Sequence, residues 1–186
     1  MALEYYQGKI IPKTDSEPLF VLDLAVIKQH LHQIALMTSK KHSKISTELI
    51  GVFNNFTQEN ENYEVFDSNL MVFLEALESY VYPDMTVAHS QNQIFVGEML
   101  KNPLMVAEVL SDSTEKKDRT LKKDAYLACD SLQDYLMIEQ NFLQVIHYFR
   151  LENVWQSSTY QSIDDQIIFA GIPFVLDLKK IYRRVL

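Results

Sequence analysis

Two carboxylates in this sequence sit among residues that ask to be buried. Glu108 lies inside PLMVAEVL (103–110), and Asp84 follows Pro83 in YVYPDMTV (80–87). A carboxylate taken out of water without a partner costs on the order of several kcal/mol or gives up its charge. A lysine offers such a partner. On a helix read from Ser113 or Thr114 to about Cys129, a rotation of roughly 100° per residue brings Lys122 within about 60° of Asp118, Ala125, Tyr126 and Cys129. Lys116 and Lys123 point well away from that face, and Asp118, one turn earlier, can hold the Lys122 charge. Two hard carboxylates suit Mg²⁺, and an ammonium beside them can orient or polarise an attacking water. A strand acid, a second acid on a neighbouring strand and this lysine would together form a compact metal and phosphate site. The residues alone also allow Glu108 to face solvent at a strand end, Asp84 to be a turn residue, or Glu108 and Lys122 to form a simple ion pair.

Other polar residues are read more plainly. His42 stands at the start of a helix, where a lone histidine serves as a cap or a packing residue. Glu48 is read as solvated. His89 and His147 fit strand alternation and share no zinc-ligand spacing with Cys129. Trp155 and the tyrosines are read as core and sheet surface. Cys129, the single cysteine, excludes an internal disulfide.

The elements that must position these residues follow from periodicity. EYYQGKII predicts a short hairpin about Gln7-Gly8. Leu24, Ile27, Leu31, Ile34 and Ala35 predict a helix over 19–37, and Ile45, Leu49, Val52, Phe53 and Phe56 predict one over 42–57. The period then shortens: 63–66, 81–89 and 103–110 read as strands, the last buried on both faces. After the Lys122 helix, whose apolar face is Leu121, Ala125, Ala128 and Cys129, DYLMIE and FLQVIHYF read as a hairpin about Gln140-Asn141. IIFAGIPFVL and a short helix, LKKIYRRVL, close the chain. Helices before and after a set of strands predict a mixed α/β (α+β) sandwich on a bent sheet. The 186 residues fit a single domain, 1–186.

The 17 Lys and Arg stand against 25 Asp and Glu, a net charge of −8. That balance disfavours a protein that coats nucleic acid non-specifically, since such affinity comes from neutralising phosphates. The positive charge is uneven, however, with Lys116, Lys117, Arg119, Lys122 and Lys123 close together. Carboxylates that hold cations would also account for part of the acidic excess. No apolar run approaches the roughly 20 residues that cross a bilayer, and MALEYYQGKIIP carries no signal-like stretch. A soluble cytoplasmic protein without a membrane role is the expectation.

The stretch from Pro83-Asp84 through Glu108-Val109-Leu110-Ser111, Ser113-Thr114, Asp118, Lys122 and Tyr126 resembles the restriction endonuclease family of the Uma-two type, within the PD-(D/E)xK nuclease superfamily. Residue type and spacing agree over some 45 residues of the Asp118-bearing segment and its flanks. Weaker similarity extends to YYQGKII, to HSKISTELIGVF, a first helix led by His42, and to the C-terminal end. Residues 14–40 depart from the pattern as a helical insertion. The resemblance implies a restriction-endonuclease-like core, a bent mixed β-sheet flanked by helices. It further implies Mg²⁺-dependent hydrolysis of DNA phosphodiester bonds, with one or two ions, Mn²⁺ as a substitute, and a homodimer. Asp84, Glu108 and the Val109 carbonyl would be the metal ligands, Lys122 the third catalytic residue, and Asp118, Tyr126 and His42 supporting residues. The superfamily's usual lysine position is Leu110 here, so the resemblance moves that role to Lys122. Some of these nucleases also place an acid on the first helix, where Glu48 lies. A catalytically inactive relative serving as a binding or scaffolding protein stays open as the alternative, as does a plain α/β interaction protein.

Overall fold

The computed structural model describes the backbone of residues 2–6, 9–13, 39–110 and 116–185, and the side chains from Ser39 onward except those of 79, 116–119 and 121. The helix read over 19–37, the insertion over 14–40 apart from Ser39 and Lys40, which belong to the start of the next helix, and the Ser113 or Thr114 cap lie outside the described residues.

The N-terminal strands pair as a hairpin, as expected, with Gln7 and Gly8 outside the described residues. Strands β1 (Ala2–Tyr6) and β2 (Lys9–Lys13) pair antiparallel, with Tyr6 opposite Lys9. Helix α1 (Lys40–Glu59) buries Ile45, Leu49, Phe53 and Phe56, the stripe its spacing predicts. Along the chain follow β3 (Tyr63–Asp67), β4 (Met71–Leu74), β5 (Ser79–Val81), β6 (Met85–His89), β7 (Phe95–Val96), β8 (Met99–Leu100) and β9 (Met105–Leu110). Helix α2 (Lys116–Leu127) precedes β10 (Asp134–Glu139), β11 (Val145–Leu151) and β12 (Val154–Tyr160). Strands β13 (Gln166–Ile168) and β14 (Val175–Asp177) and helix α3 (Leu178–Tyr182) complete it.

The main sheet has six strands in the order β12-β11-β10-β9-β6-β3. Among the described strands of this sheet only β9 and β10 pair parallel, and α2 supplies the crossover that a parallel pair needs. A second sheet has the order β5-β4-β8-β7. The run 81–89 is therefore not one strand. Val81 ends β5 in the small sheet and Met85 starts β6 in the main one. Pro83, between them, has no N–H to give a ladder, and the break leaves Asp84 at the threshold of β6.

The sheet separates two layers. Met105, Ala107 and Val109 of β9 pack with the α1 stripe and with Leu178, Ile181 and Tyr182 of α3. Val106 packs with Ala125 and Tyr126 of α2 and with Val72, Leu74 and Val81 of the small sheet. Side chains alternate along a strand, so Glu108 shares the Val106 side and turns toward α2. Among the described residues no helix is long and apolar enough to cross a membrane.

Candidate active site

The site begins with a register. Strands β6 and β9 pair Met85 with Ala107, Thr86 with Val106 and Val87 with Met105. The ladder ends there, with Asp84 just before Met85 and Glu108 just after Ala107, and the Asp84 charge acts on Glu108. The Val109 N–H donates to Asp84 Oδ2 at 2.7 Å, closing the strand end around the acid. Asp84 and Glu108 keep 15% and 13% of their side-chain surface, so neither is a solvated turn or strand-end residue.

Helix α2 brings the lysine. Lys122 Nζ lies 3.3 Å from Glu108 Oε1, and the Tyr126 hydroxyl, one turn on, donates to the same oxygen at 2.7 Å. Burial raises the Glu108 pKa, and the Asp84 charge adds to that. The Lys122 charge and the hydrogen bonds from Tyr126 and Lys122 oppose it, leaving the value raised overall. The Tyr126 phenol is pushed well above its ordinary value by burial first and by the Glu108 charge second. The inward face of α2 carries buried Ala125 and Tyr126 and half-buried Cys129, whereas Ala128 is exposed. Ala128 thus falls outside the face predicted for it, because the helix ends at Leu127 and Ala128 lies in the turn that follows. Lys123 points elsewhere, as its helical angle requires, to Asp124 at 3.5 Å and over the Tyr148 ring at 6.0 Å from its centroid. Asp118 lies on α2 one turn before Lys122, and its side chain is outside the described set.

The first turn of α1 reaches the same place from the other side. Ser39 caps the helix, its Oγ accepting from the His42 N–H at 3.1 Å. His42 Nε2 lies 3.2 Å from Asp84 Oδ2. Burial alone would lower the His42 pKa, but the Asp84 hydrogen bond, the charges of Asp84 and Glu108 and the Val109 carbonyl outweigh it, and the value is raised. His42 therefore does more than cap a helix. The Ser39 hydroxyl also donates to Gln140 Oε1, at the end of β10. Neither Ser39 nor Gln140 stands out as a site residue in the sequence. A serine three residues before His42 is a readable cap signal. Gln140 reads only as a turn residue until β10 is known to lie beside β9.

Glu48 goes elsewhere. Its oxygens lie 3.4 and 3.1 Å from the Arg183 and Arg184 guanidinium groups, so it ties α1 to the C-terminal end rather than joining Asp84 and Glu108. His89 stacks on Tyr63, and His147 is buried against Asp134. Trp155 donates to the Leu127 carbonyl at 2.7 Å, fastening α2 to β12.

Among the described residues no group of three or more His, Cys, Asp and Glu is arranged to hold a metal ion. The carboxylates of Asp84 and Glu108 come together here, with the His42 ring beside Asp84. Carboxylate oxygens are the hard donors that Mg²⁺ takes.

Residues 22–179 match the model of the Uma2 family, described as "Putative restriction endonuclease". The protein "Uncharacterized protein slr1290" of Synechocystis sp. is 31% identical over 147 residues, 78% of this chain and 76% of the relative. A second Synechocystis sp. protein, "Uncharacterized protein sll1609", is 34% identical over 91 residues, 48% of this chain and 51% of that relative. A crystal structure described as "a putative nuclease belonging to DUF820", from Anabaena variabilis, superposes with a TM-score of 0.65 at 19% identity, covering 100% of this chain and 92% of that one. The superposition bears out the mixed α+β, restriction-endonuclease-like fold.

Proposed function

The chain belongs to the Uma2 family, and on that footing we propose that it is a Mg²⁺-dependent endonuclease that hydrolyses DNA phosphodiester bonds. The observation that carries this reading is the contact of Lys122 Nζ with the Glu108 carboxylate, which also lies within reach of the Asp84 charge at the end of β6. A strand-end ion pair alone would not require the second acid there.

In this reading Asp84, Glu108 and the Val109 carbonyl would hold Mg²⁺, with Mn²⁺ as a substitute. Bound there, the ion would lower the pKa of a water and stabilise charge on the phosphate. Lys122 orients the attacking water or stabilises the negative charge that builds on the phosphoryl oxygens. The water oxygen forms the new P–O bond as the water gives up a proton to solvent, the bond to the leaving sugar oxygen breaks, and that oxygen takes a proton from solvent. Tyr126 holds Glu108, His42 holds Asp84, and Asp118, one turn from Lys122, supports the lysine. Two copies related by a two-fold axis would present one site to each strand of a duplex.

The test is cleavage of supercoiled plasmid by the purified protein. Nicked and linear products are expected with Mg²⁺ or Mn²⁺ and none with EDTA. Asp84→Asn and Lys122→Ala should each lower the rate at least about a hundredfold with the protein still folded by circular dichroism. Absence of hydrolysis with either cation, joined to absence of calorimetric Mg²⁺ binding, would overturn the enzyme reading in favour of a binding or scaffolding role.

A further inference from the structure

We propose that Gln140 is a positioning residue of this site, acting through Ser39 to seat His42 on Asp84. The inference rests on the site reading above for its catalytic consequence, but its geometry stands apart from it. Gln140 is a buried polar residue, 3% exposed, immediately after β10. Its Oε1 accepts the Ser39 hydroxyl from 101 residues away in sequence. The same Ser39 oxygen accepts the His42 main-chain N–H at 3.1 Å, and the His42 ring reaches Asp84 Oδ2 at 3.2 Å. Asp84 Oδ2 in turn accepts the Val109 N–H at 2.7 Å. A continuous chain of polar contacts thus runs from the end of β10 to the strand-end acid.

The chain is needed because burial does not do its work. Residues 39–44 are all exposed or only half-buried, and the first buried residue of α1 is Ile45, nearly a turn beyond His42. The apolar stripe fixes the body of the helix and leaves its first turn to be placed by polar contacts. One of these, Lys44 to the Arg184 carbonyl at 2.8 Å, is exposed and pulls toward the C-terminal end rather than toward Asp84. Ser39 has a single hydroxyl proton. Committing it to Gln140 turns the oxygen's lone pairs toward the helix, which sets the direction of the cap and with it the side of the helix from which His42 projects.

The experiment follows the His42 ring directly, by long-range ¹H–¹⁵N NMR of the metal-free protein at one pH, with Asp84→Asn as the reference for a released ring. Gln140→Ala and Ser39→Gly should both move the His42 resonances toward that reference, while Gln140→Glu, which keeps an acceptor oxygen, should hold them near wild type. Glycine is a tolerated cap, so Ser39→Gly decides the matter if Gln140→Ala fails to fold. In cleavage, Ser39→Gly and Gln140→Ala should lower kcat by about tenfold to a hundredfold at unchanged KM for DNA, with no further loss in the double variant. His42 resonances identical to wild type in Ser39→Gly would overturn the proposal. Displaced resonances in a protein that cleaves no nucleic acid would instead retain the latch and remove the nuclease reading.

Discussion

Glu108 shows how one buried acid is kept useful. Lys122 and Tyr126 both approach Oε1, and among the described residues nothing engages Oε2. The two donors are not equivalent. Lys122 brings the charge that opposes burial, while Tyr126 brings a short neutral hydrogen bond. Tyr126→Phe is expected to slow cleavage by about tenfold, well short of the Lys122→Ala effect, and to cost about 1–3 kcal/mol in urea unfolding. A Tyr126→Phe rate equal to that of Lys122→Ala would show that the phenol, not the ammonium, carries the role. Lys122 and Tyr126 were legible in the sequence because a helix fixes both to one face at known angles. Gln140 was not, because its meaning depends on β9 and β10 lying side by side in parallel, a pairing that no local pattern encodes.

Elements are fastened to each other by buried polar contacts that the sequence does not advertise. Asp134, at the start of β10, is fully buried, with Oδ1 2.7 Å from His147 Nε2 on β11. It also accepts the Ala170 N–H at 2.9 Å and the Gly171 N–H at 2.7 Å, pinning the loop between β13 and β14 to the main sheet. A Cβ on Gly171 would meet Gln133 Cβ at 2.7 Å and Asp134 Oδ2 at 3.1 Å. Gly171→Ala should therefore cost roughly 1–3 kcal/mol, read as a lower urea midpoint at an unchanged slope. At the other end of β10, the Tyr182 hydroxyl of α3 donates to the Glu139 and Gln144 carbonyls, and burial raises its pKa. Unfolded tyrosine ionises near pH 10, about where this neutral buried phenol would begin to cost the folded state. Its stabilisation is thus complete below that pH and is lost as pH climbs from there toward the raised folded value. Tyr182→Phe should lose about 1 kcal/mol at pH 7, and the gap from wild type should narrow by pH 11; a gap that widens would contradict the assignment.

The long amphipathic α1 and the doubly buried β9 were readable because their patterns extend over enough residues to show a period. The small sheet was not. Strands of two to four residues carry no period, and β12, VWQSSTY, is too polar to look like a strand until β11 is beside it. Pro83 stands between β5 and β6, yet 81–89 reads as one strand, and no local pattern says that its two flanks belong to different sheets.

For the whole molecule, the net charge of −8 sets how DNA would be held if the proposed endonuclease reading stands. Long-range repulsion works against encounter, so affinity must come from local cations beside the acids. Lys40 and Lys41 are exposed on the first turn of α1, next to the residue that reaches Asp84, and α2 carries Lys122 and Lys123 within its basic segment. Each phosphate contact contributes about −0.9 to the slope of log K against log salt. A footprint of this size predicts a shallow slope, about −2 to −4, and micromolar or weaker binding at physiological salt. Fluorescence anisotropy of a labelled duplex with the Asp84→Asn protein measures both. Adding Lys40→Glu and Lys41→Glu should weaken binding to any sequence alike and flatten the slope by about 1–2, while the melting temperature changes little. If the slope is unchanged, the phosphates do not pass the N-terminus of α1, and the basic segment of α2 must hold the duplex alone.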